Sequence, residues 1–414
     1  MRALADQQIS RFSDGLLPPL EELLDVASRG HSIAEEDAAG FSSADNGRLD
    51  DMCAVAAELR DQGKGRIVTF SPKVFIPLTR LCRDFCGYCT FRQDPASAGD
   101  TIFMTPEQVL EVAQAGQRLG CTEALFTLGE RPEQRYPEAK EWLTRRGYST
   151  TLQYLADVCQ LVIQETSLLP HANPGTMGRR EMAALQPSNP SMGLMLESTS
   201  DRLYAEGGPH EFAPSKRPRV RLRTIEIAGQ LRVPFTTGIL IGIGETRRER
   251  IDSILAIRRL HRDHGHIQEV IIQNFRAKPD TPMGGAPDAE SQELLWTVAV
   301  ARLLLGPDVN IQVPPNLSAR DYEVYLDAGI NDWGGVSPLT IDFVNPEAPW
   351  PGLAELRDRT SGKGFELRPR LPVYPEYFMA TDSYLPGPLK SKVTALADQE
   401  GYVQGGIDRY APIA

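Results

Sequence analysis

The chain contains the segment Leu81-Cys82-Arg83-Asp84-Phe85-Cys86-Gly87-Tyr88-Cys89 directly after an apolar run at 74–78. Its three cysteines have the spacing C-x3-C-x2-C. Three thiolates on one short loop can hold three irons of a [4Fe–4S] cluster, which leaves the fourth iron without a protein ligand. An open iron can bind a substrate or cosubstrate and transfer an electron to it. The segment therefore predicts an iron–sulfur site with Cys82, Cys86 and Cys89 as its metal ligands.

A zinc ion offers an alternative interpretation of the same loop. A structural zinc site uses four protein ligands in a closed tetrahedron, and no fourth Cys or His lies close to the loop in the sequence. The other cysteines, Cys53, Cys121 and Cys159, are scattered singly, which also argues against a disulfide framework. The iron–sulfur cluster is the favoured interpretation, and a non-catalytic protein with zinc in the loop remains as the alternative.

The composition is that of a globular protein without a main role in nucleic-acid binding. Of the 414 residues, 41% are hydrophobic and 24% are charged, and the formal net charge is −11. A negative balance disfavours contacts with phosphate backbones. No stretch reaches the roughly 20 apolar residues of a membrane span, and residues 1–8 lack the apolar core of a signal peptide. We therefore expect a cytoplasmic enzyme with neither a membrane nor a nucleic-acid partner.

Short apolar runs alternate with helical patterns from residue 74 onward. The runs predict strands at 74–78, 123–128, 168–171, 192–196, 236–243, 270–273, 309–312 and 333–337. The helical patterns begin after Thr105 and recur at 152–166, 179–185, 220–231, 247–261, 290–305 and 319–328. About eight such units make a TIM-type (β/α)8 barrel, whose chemistry lies on the loops that follow the strands. A doubly wound sheet is the alternative arrangement.

Three regions are predicted along the chain. Residues 1–70 form an N-terminal helical extension, because 16–24 and 50–59 have the apolar spacing of helices. Residues 71–345 form the barrel. Residues 346–414 are rich in proline over much of their length and are predicted to be an irregular segment packed on the barrel.

The cysteine loop resembles the signature loop of radical S-adenosylmethionine (SAM) enzymes. The resemblance implies a [4Fe–4S] cluster on Cys82, Cys86 and Cys89, with SAM bound at the open iron. It further implies a low-potential electron donor and a 5′-deoxyadenosyl radical that abstracts a hydrogen atom from the substrate. In this mechanism the barrel excludes water and directs one substrate hydrogen at the radical carbon.

Further segments resemble SAM-binding motifs of the same superfamily. Gly129 and Glu130, after the second predicted strand, match a stretch that binds the methionine amino group, although Leu128 replaces its first glycine. Glu197, after the fourth strand, is predicted to accept hydrogen bonds from ribose hydroxyls or from the substrate. Arg221 is predicted to pair with the methionine carboxylate, because a guanidinium fork matches a carboxylate.

A glycine-rich turn lies at the end of the fifth predicted strand. Gly242, Gly244 and Glu245 resemble the adenine-side motif of SAM barrels, in which the glycines permit close approach to the ligand. The turn lacks the complete G-x-G-x-x-G of a dinucleotide site. The resemblance implies that these three residues contribute to SAM binding.

Four segments, 71–91, 127–133, 171–175 and 334–340, resemble one family in particular. It is the CofG subunit or domain of 7,8-didemethyl-8-hydroxy-5-deazariboflavin synthase, and the resemblance covers about residues 65 to 390. In that family a partner radical SAM subunit makes a 5-amino-5-(4-hydroxybenzyl)-6-(ribitylimino)-dihydrouracil adduct. The CofG part abstracts hydrogen from the adduct and closes the ring with loss of ammonia. His171 would line the substrate cavity.

With one cysteine loop, the chain is expected to be the separate half of such a pair. Other radical SAM enzymes of aromatic substrates remain as alternatives. They are the partner subunit itself, a tyrosine lyase and a menaquinone-pathway cyclase. Lyases with an accessory C-terminal cluster are disfavoured, because no cysteine follows Cys159.

Overall fold

The computed structural model describes residues 17–44, 46–98, 101–318 and 320–413. Within these ranges, nine parallel strands form one sheet. They are β1 Ile67–Pro77, β2 Glu123–Thr127, β3 Leu169–Asn173, β4 Ser191–Gly193, β5 Phe235–Ile241, β6 Ile267–Asn274, β7 Ile311–Gln312, β8 Asp332–Val336 and β9 Glu366–Pro369.

The first eight strands close into a barrel. Each strand from β2 to β7 pairs with the next, β8 pairs with β1, and β1 pairs with β2. The predicted (β/α)8 fold is confirmed, and each of the eight predicted strands overlaps an observed one. Because β2 begins opposite Lys73, the first half of β1 has a free edge, and β9 pairs there from Ile67 to Phe70.

Helices precede, separate and follow the strands along the chain. In the described ranges they are α1 Leu20–Ser28, α2 Leu49–Lys64, α3 Pro95–Ala98, α4 Pro106–Arg118, α5 Pro137–Arg145, α6 Thr151–Glu165, α7 Arg179–Leu185, α8 Pro218–Gln230, α9 Arg247–His264, α10 Ser291–Leu305, α11 Leu353–Gly362, α12 Pro375–Phe378 and α13 Gly387–Leu396. In place of the helix predicted at 319–328, a 3-10 helix spans Tyr322–Ala328, and residue 319 lies outside the described residues. No helix of the described chain is long and apolar enough to cross a bilayer.

Local sequence signals set the starts of two barrel helices. Thr105 caps α4, and its side chain and that of Gln108 exchange hydrogen bonds with the backbone in a capping box. Thr246 and Glu249 repeat the arrangement at α9. The helices pack closely on the strands: a Cβ added to Gly116 of α4 would lie 2.4 Å from Val74 of β1.

The predicted regions differ from the structure at their boundaries. Residues 1–16, which include the start of the first predicted helix and the segment judged for a signal peptide, lie outside the described residues. β1 begins at Ile67, inside the predicted extension. The prediction of an irregular C-terminal segment is wrong for residues 353–396, which contain α11, β9, α12 and α13. Two of its prolines, Pro375 and Pro388, stand in first helical turns, where the missing N–H costs no hydrogen bond. The division into three regions stays a prediction.

The segment after β9 closes the barrel at the amino-terminal ends of the strands. The backbone N–H of Arg370 donates to Phe70 O at 2.7 Å, and the carbonyl of Pro372 accepts hydrogen bonds from Ser191 and Gln268. The opposite end, where the loops follow the strands, carries the cysteines. The C-terminal segment therefore forms the floor of a barrel whose mouth lies at the cysteine loop.

Candidate active site

A cavity of about 350 Å³ runs from the cysteine loop into the barrel. Cys82, Cys86 and Cys89 line its mouth, and Arg370 and Pro372 line its floor. TIM-type barrels place their chemistry at the carboxyl ends of the strands. The cavity combines that position with access to the barrel interior.

Neighbouring loops hold the backbone of the cysteine loop in place. Phe85 N donates to Phe212 O at 3.0 Å, and Gly87 N donates to Pro209 O at 2.7 Å. The sulfur of Cys82 accepts from Glu130 N at 3.1 Å. Burial, followed by the nearby charge of Asp84, raises the pKa of the Cys82 thiol to about 12. A positive partner such as a metal would stabilise the thiolate there.

The three thiols share one loop at the cavity, as the ligands of a [4Fe–4S] cluster can do. In a cubic cluster each thiolate binds a different iron, so the ligands lie farther apart than those of a tetrahedral zinc. The three half-buried cysteines on one cavity-lining loop therefore fit a [4Fe–4S] cluster.

Gly129 and Glu130 lie against this loop. A Cβ added to Gly129 would stand 1.9 Å from Leu81 O and 2.8 Å from Cys82 Cβ, so the contact requires glycine. The Glu130 carboxylate accepts from the backbone N of Thr176 at 2.9 Å and from its hydroxyl. Both predicted residues line the cavity, and the Glu130 carboxylate is already bound to the loop after β3.

Glu197 and Arg221 are brought together, and a third residue joins them. Glu197 is buried with a positive φ of 67°. It forms an ion pair with Lys216, and its carboxylate lies 3.8 Å from Arg221 Nη1. Burial acts to raise the pKa of Glu197, but the two cations outweigh it and hold the pKa below its usual value. Sequence reasoning missed Lys216, because only the tertiary fold brings its short 3-10 helix beside Glu197.

Arg221 differs from the arginines around it. Its side chain is buried, donates from Nε to Ser215 O at 3.0 Å and lines the cavity. Arg217, Arg219 and Arg223 are exposed. Of these four, Arg221 alone is placed to meet a ligand in the cavity.

Gly242, Gly244 and Glu245 are not among the described residues that line the cavity. The Glu245 carboxylate accepts from Gly242 N at 2.9 Å and Ile243 N at 2.9 Å, and it pairs with Arg250 at 2.6 Å. Glu245 thus stabilises its own turn, with its side chain engaged by protein groups. A contact of these residues with a cofactor stays a prediction.

The floor of the cavity holds charged groups that the sequence did not single out. Lys73 Nζ pairs with Glu123 at 2.8 Å, and Arg370 pairs with Glu269 at 2.7 Å. A Cβ added to Gly335 would lie 2.4 Å from the Lys73 side chain, so glycine makes room for the lysine. Lys73, Glu123 and Glu269 stand on β1, β2 and β6, and Arg370 follows β9. Their inward direction depends on the register and closure of the barrel.

The wall between mouth and floor combines aromatic and polar groups. Phe75 and Trp350 stack with ring centroids 5.1 Å apart, and both line the cavity. His171, on β3, also lines it, as the sequence led us to expect. An aromatic ring and a polar heterocycle could therefore occupy different parts of the same cavity.

Comparison with known proteins connects this geometry to one superfamily. The model of the radical SAM superfamily matches residues 76–257. The chain is 52% identical over 390 residues to FO synthase of Streptomyces coelicolor, with 92% of this chain and 45% of that protein covered. It is 52% identical over 338 residues to 7,8-didemethyl-8-hydroxy-5-deazariboflavin synthase of Methanopyrus kandleri, with 82% of this chain and 100% of that protein covered. The chain thus spans about half the length of the Streptomyces relative.

Solved structures show the same fold at low sequence identity. Methylornithine synthase (PylB) superposes with a TM-score of 0.65 at 19% identity, over 83% of this chain and 97% of that chain. The FeFe-hydrogenase maturase HydG from Carboxydothermus hydrogenoformans superposes with a TM-score of 0.67 at 20% identity, over 95% of this chain and 92% of that chain. At this sequence identity the likenesses concern the fold alone.

Proposed function

We propose that this chain, which belongs to the radical SAM superfamily and within it to the 7,8-didemethyl-8-hydroxy-5-deazariboflavin synthase family, catalyses the ring-closing step of deazaflavin formation. The substrate would be the 5-amino-5-(4-hydroxybenzyl)-6-(ribitylimino)-dihydrouracil adduct, which loses ammonia as the ring closes. The observation that carries the proposal is the 52% identity along the whole Methanopyrus kandleri synthase. The position of the cysteine loop at the cavity mouth supports it.

The cofactors follow from the superfamily and from the residues at the mouth. Radical SAM enzymes use a [4Fe–4S] cluster and SAM, and Cys82, Cys86 and Cys89 would hold the cluster here. When bound, the two cofactors supply a 5′-deoxyadenosyl radical that abstracts a hydrogen atom from the substrate. Arg221 would bind the methionine carboxylate, and Glu197 would accept hydrogen bonds from ribose hydroxyls.

The remaining predicted contacts serve the same cofactors. The loop containing Gly129 and Glu130 would receive the methionine amino group. Gly242, Gly244 and Glu245 would shape the turn on the adenine side. Because the Glu245 carboxylate is engaged within that turn, we propose that it acts by holding the turn in place.

The cavity wall suits the two parts of the adduct. The stacked rings of Phe75 and Trp350 provide an apolar surface for a hydroxybenzyl ring. Lys73, His171 and Arg370 provide polar groups for the dihydrouracil and its ribityl chain. The cavity would enclose the substrate between the cysteine loop and the C-terminal floor, and this enclosure would shield a reactive radical from water.

A partner radical SAM subunit that supplies the adduct and a low-potential electron donor are part of the proposal. So is a cytoplasmic location, where cysteines stay reduced; all six cysteines are unpaired in the structure. The two relatives described above are named FO synthase and 7,8-didemethyl-8-hydroxy-5-deazariboflavin synthase. They favour neither a sister radical SAM enzyme nor a zinc-binding protein.

The test is made anaerobically on protein reconstituted with iron and sulfide, then reduced and given SAM and the adduct. Wild type should contain a [4Fe–4S] cluster and form 5′-deoxyadenosine together with a fluorescent deazaflavin. Cys86→Ala should lose SAM cleavage while keeping its far-UV circular dichroism. Cys53→Ala is the matched control, because Cys53 lies on α2, away from the cavity.

The outcomes separate the parts of the proposal. Deoxyadenosine without deazaflavin would retain the radical chemistry and reject the substrate. A protein that contained zinc and no acid-labile sulfide would contradict the proposal that this chain is a radical SAM enzyme. Retained SAM cleavage in Cys86→Ala would reject Cys86 as a cluster ligand.

A further inference from the structure

His171 belongs to a chain of hydrogen bonds that begins at the barrel floor. Its Nδ1 lies 2.7 Å from the hydroxyl oxygen of Ser191 on the neighbouring strand β4. That hydroxyl donates to the carbonyl of Pro372 at 2.5 Å. The same carbonyl also accepts from Gln268 Nε2 at 3.0 Å. The C-terminal segment therefore anchors the histidine side chain through Ser191.

This chain determines which ring nitrogen carries the proton. A carbonyl can only accept, so the single hydroxyl hydrogen of Ser191 must be given to Pro372. Ser191 can then only accept from His171, which requires a proton on Nδ1. In the neutral ring the other nitrogen, Nε2, has a free lone pair. Since His171 lines the cavity, an acceptor is available there.

The surroundings keep the ring neutral. His171 is 6% exposed. Burial lowers its pKa to about 4; Glu123 on β2 acts to raise the pKa, while Lys73 on β1 and Arg370 from the floor act to lower it. At neutral pH the imidazole therefore stays uncharged, and Nε2 remains an acceptor.

Gly193 of β4 leaves this acceptor accessible. A Cβ added at Gly193 would lie 3.0 Å from His171 Nε2. Any larger residue would place a side-chain carbon against this nitrogen. The glycine and the hydrogen-bond chain are independent features, and both keep Nε2 available to a ligand in the cavity.

We propose that His171 is a substrate-binding residue whose Nε2 accepts a hydrogen bond from a ring N–H of the dihydrouracil part of the substrate. The inference rests on the proposed function and deepens it. A cyclic ureide has N–H groups next to carbonyls, so it presents donors and acceptors side by side. Lys73, which also lines the cavity and gives one hydrogen bond to Glu123, has two further N–H groups to meet a carbonyl. Together, His171 and Lys73 would recognise the heterocycle by its hydrogen-bonding groups and orient it within the barrel.

Affinity for the adduct is the first measurement, made by anaerobic calorimetry on the reconstituted protein without SAM. His171→Leu removes the acceptor, and Gly193→Ala blocks it while leaving the histidine in place. Each should weaken binding about tenfold, the effect expected of one hydrogen bond to a buried partner. His171→Gln keeps a neutral acceptor and should stay within about threefold of wild type. Gly352→Ala is the control, because no atom lies within 4 Å of its added Cβ.

The protonation state is the second measurement, and it does not depend on catalysis. Histidine-selective ¹⁵N NMR of the wild type, with the His171 signal identified from His171→Leu, should show a proton on Nδ1 and none on Nε2 near pH 7. Ser191→Ala should produce a mixture of the two tautomers. A proton on Nε2 in the wild type would overturn the inference.

A third measurement distinguishes a ring N–H of the substrate from a ribityl hydroxyl as the donor to His171. An adduct with a methyl group in place of the ribityl chain should show the same dependence on His171, because the ring N–H remains. Loss of that dependence would assign the contact to a ribityl hydroxyl and overturn the assignment to the ring. Wild type that forms deazaflavin while all variants bind equally well would reject the inference but not the proposed function. Wild type that forms no deazaflavin would reject the proposed function, and the NMR result would still decide the tautomer.

Discussion

Arg370 in the barrel floor offers a strong test of the structural account. Its guanidinium contacts Asp332 at 2.6 and 3.1 Å and Glu269 at 2.7 Å. The side chains are almost fully buried: Arg370 is 2% exposed, Asp332 0% and Glu269 5%. Arg370→Met would leave two carboxylates buried without their shared cation. Removing one partner from a buried ion pair costs about 3–5 kcal/mol of unfolding free energy.

Arg368, two residues earlier, provides a matched control. It also pairs with two carboxylates, Glu366 and Glu400, but those are 60% and 62% exposed. Ion pairs exposed in this way contribute about 0–1 kcal/mol. We therefore expect Arg370→Met to be less stable than Arg368→Met by about 3 kcal/mol at pH 8.

The deficit of Arg370→Met should also depend on pH. In the wild type, burial already raises the pKa of Glu269 against the opposing effect of Arg370. Loss of the arginine raises that pKa further. A carboxyl whose pKa is higher in the folded state destabilises the protein once the pH exceeds its unfolded value. The deficit should therefore grow from pH 5 to pH 8, by at most about 1.4 kcal/mol per pH unit for this group.

Urea unfolding of the metal-free proteins, followed by far-UV circular dichroism at pH 5 and pH 8, measures these differences. A deficit of Arg370→Met no larger than that of Arg368→Met would refute the buried network. A deficit that shrank as the pH rose would refute its electrostatic origin.

Three further predictions concern the loops and the buried histidines. Gly129→Ala should lower the iron content after reconstitution and reduce the unfolding free energy by about 1–3 kcal/mol, because its Cβ would overlap Leu81 O; an unchanged iron content would contradict this contact. Glu245→Ala should reduce the unfolding free energy by about 1.5–3 kcal/mol through loss of charged hydrogen bonds within its turn. If Glu245→Ala and the wild type had the same urea midpoint, the Glu245 carboxylate would be free for a ligand. Burial lowers the pKa of His171 to about 4 and those of His210 and His266 to about 3. Since unfolding lets each take up a proton below about pH 6.5, stability should fall as the pH drops from 6.5 toward 4, by up to about 1.4 kcal/mol per pH unit for each histidine. Urea midpoints at pH 5 and 7 measure this, and a His266→Gln variant with the full pH dependence would exclude that residue as a source.

The strand count and the cysteine loop could be predicted because both depend on local sequence. Apolar runs of strand length alternate with capped amphipathic segments, and each predicted strand overlaps an observed one. Thr105 and Thr246 show their capping role within four residues of sequence. The three cysteines share one loop, so their proximity follows from covalent connection alone.

Residues that meet across the barrel could not be placed in this way. Lys216 pairs with Glu197, and Arg370 meets Glu269 across about one hundred residues of sequence, only because the barrel closes. The proline content of the C-terminal segment led to the prediction of irregular structure. Composition does not show that the first half of β1 has a free edge, and β9 forms by pairing with that edge.

The sequence by itself determined the class of chemistry, through three thiols at fixed spacing, and the barrel that carries them, through the period of its apolar residues. Tertiary structure alone decided which side chains face the cavity and in what protonation state. Glu245 turned out to be engaged by its own turn, and His171 owes its acceptor to Ser191 and to a carbonyl two hundred residues away. The physical reason is that a hydrogen bond or a pKa depends on distance and burial in space, which strand register and barrel closure set and local sequence does not.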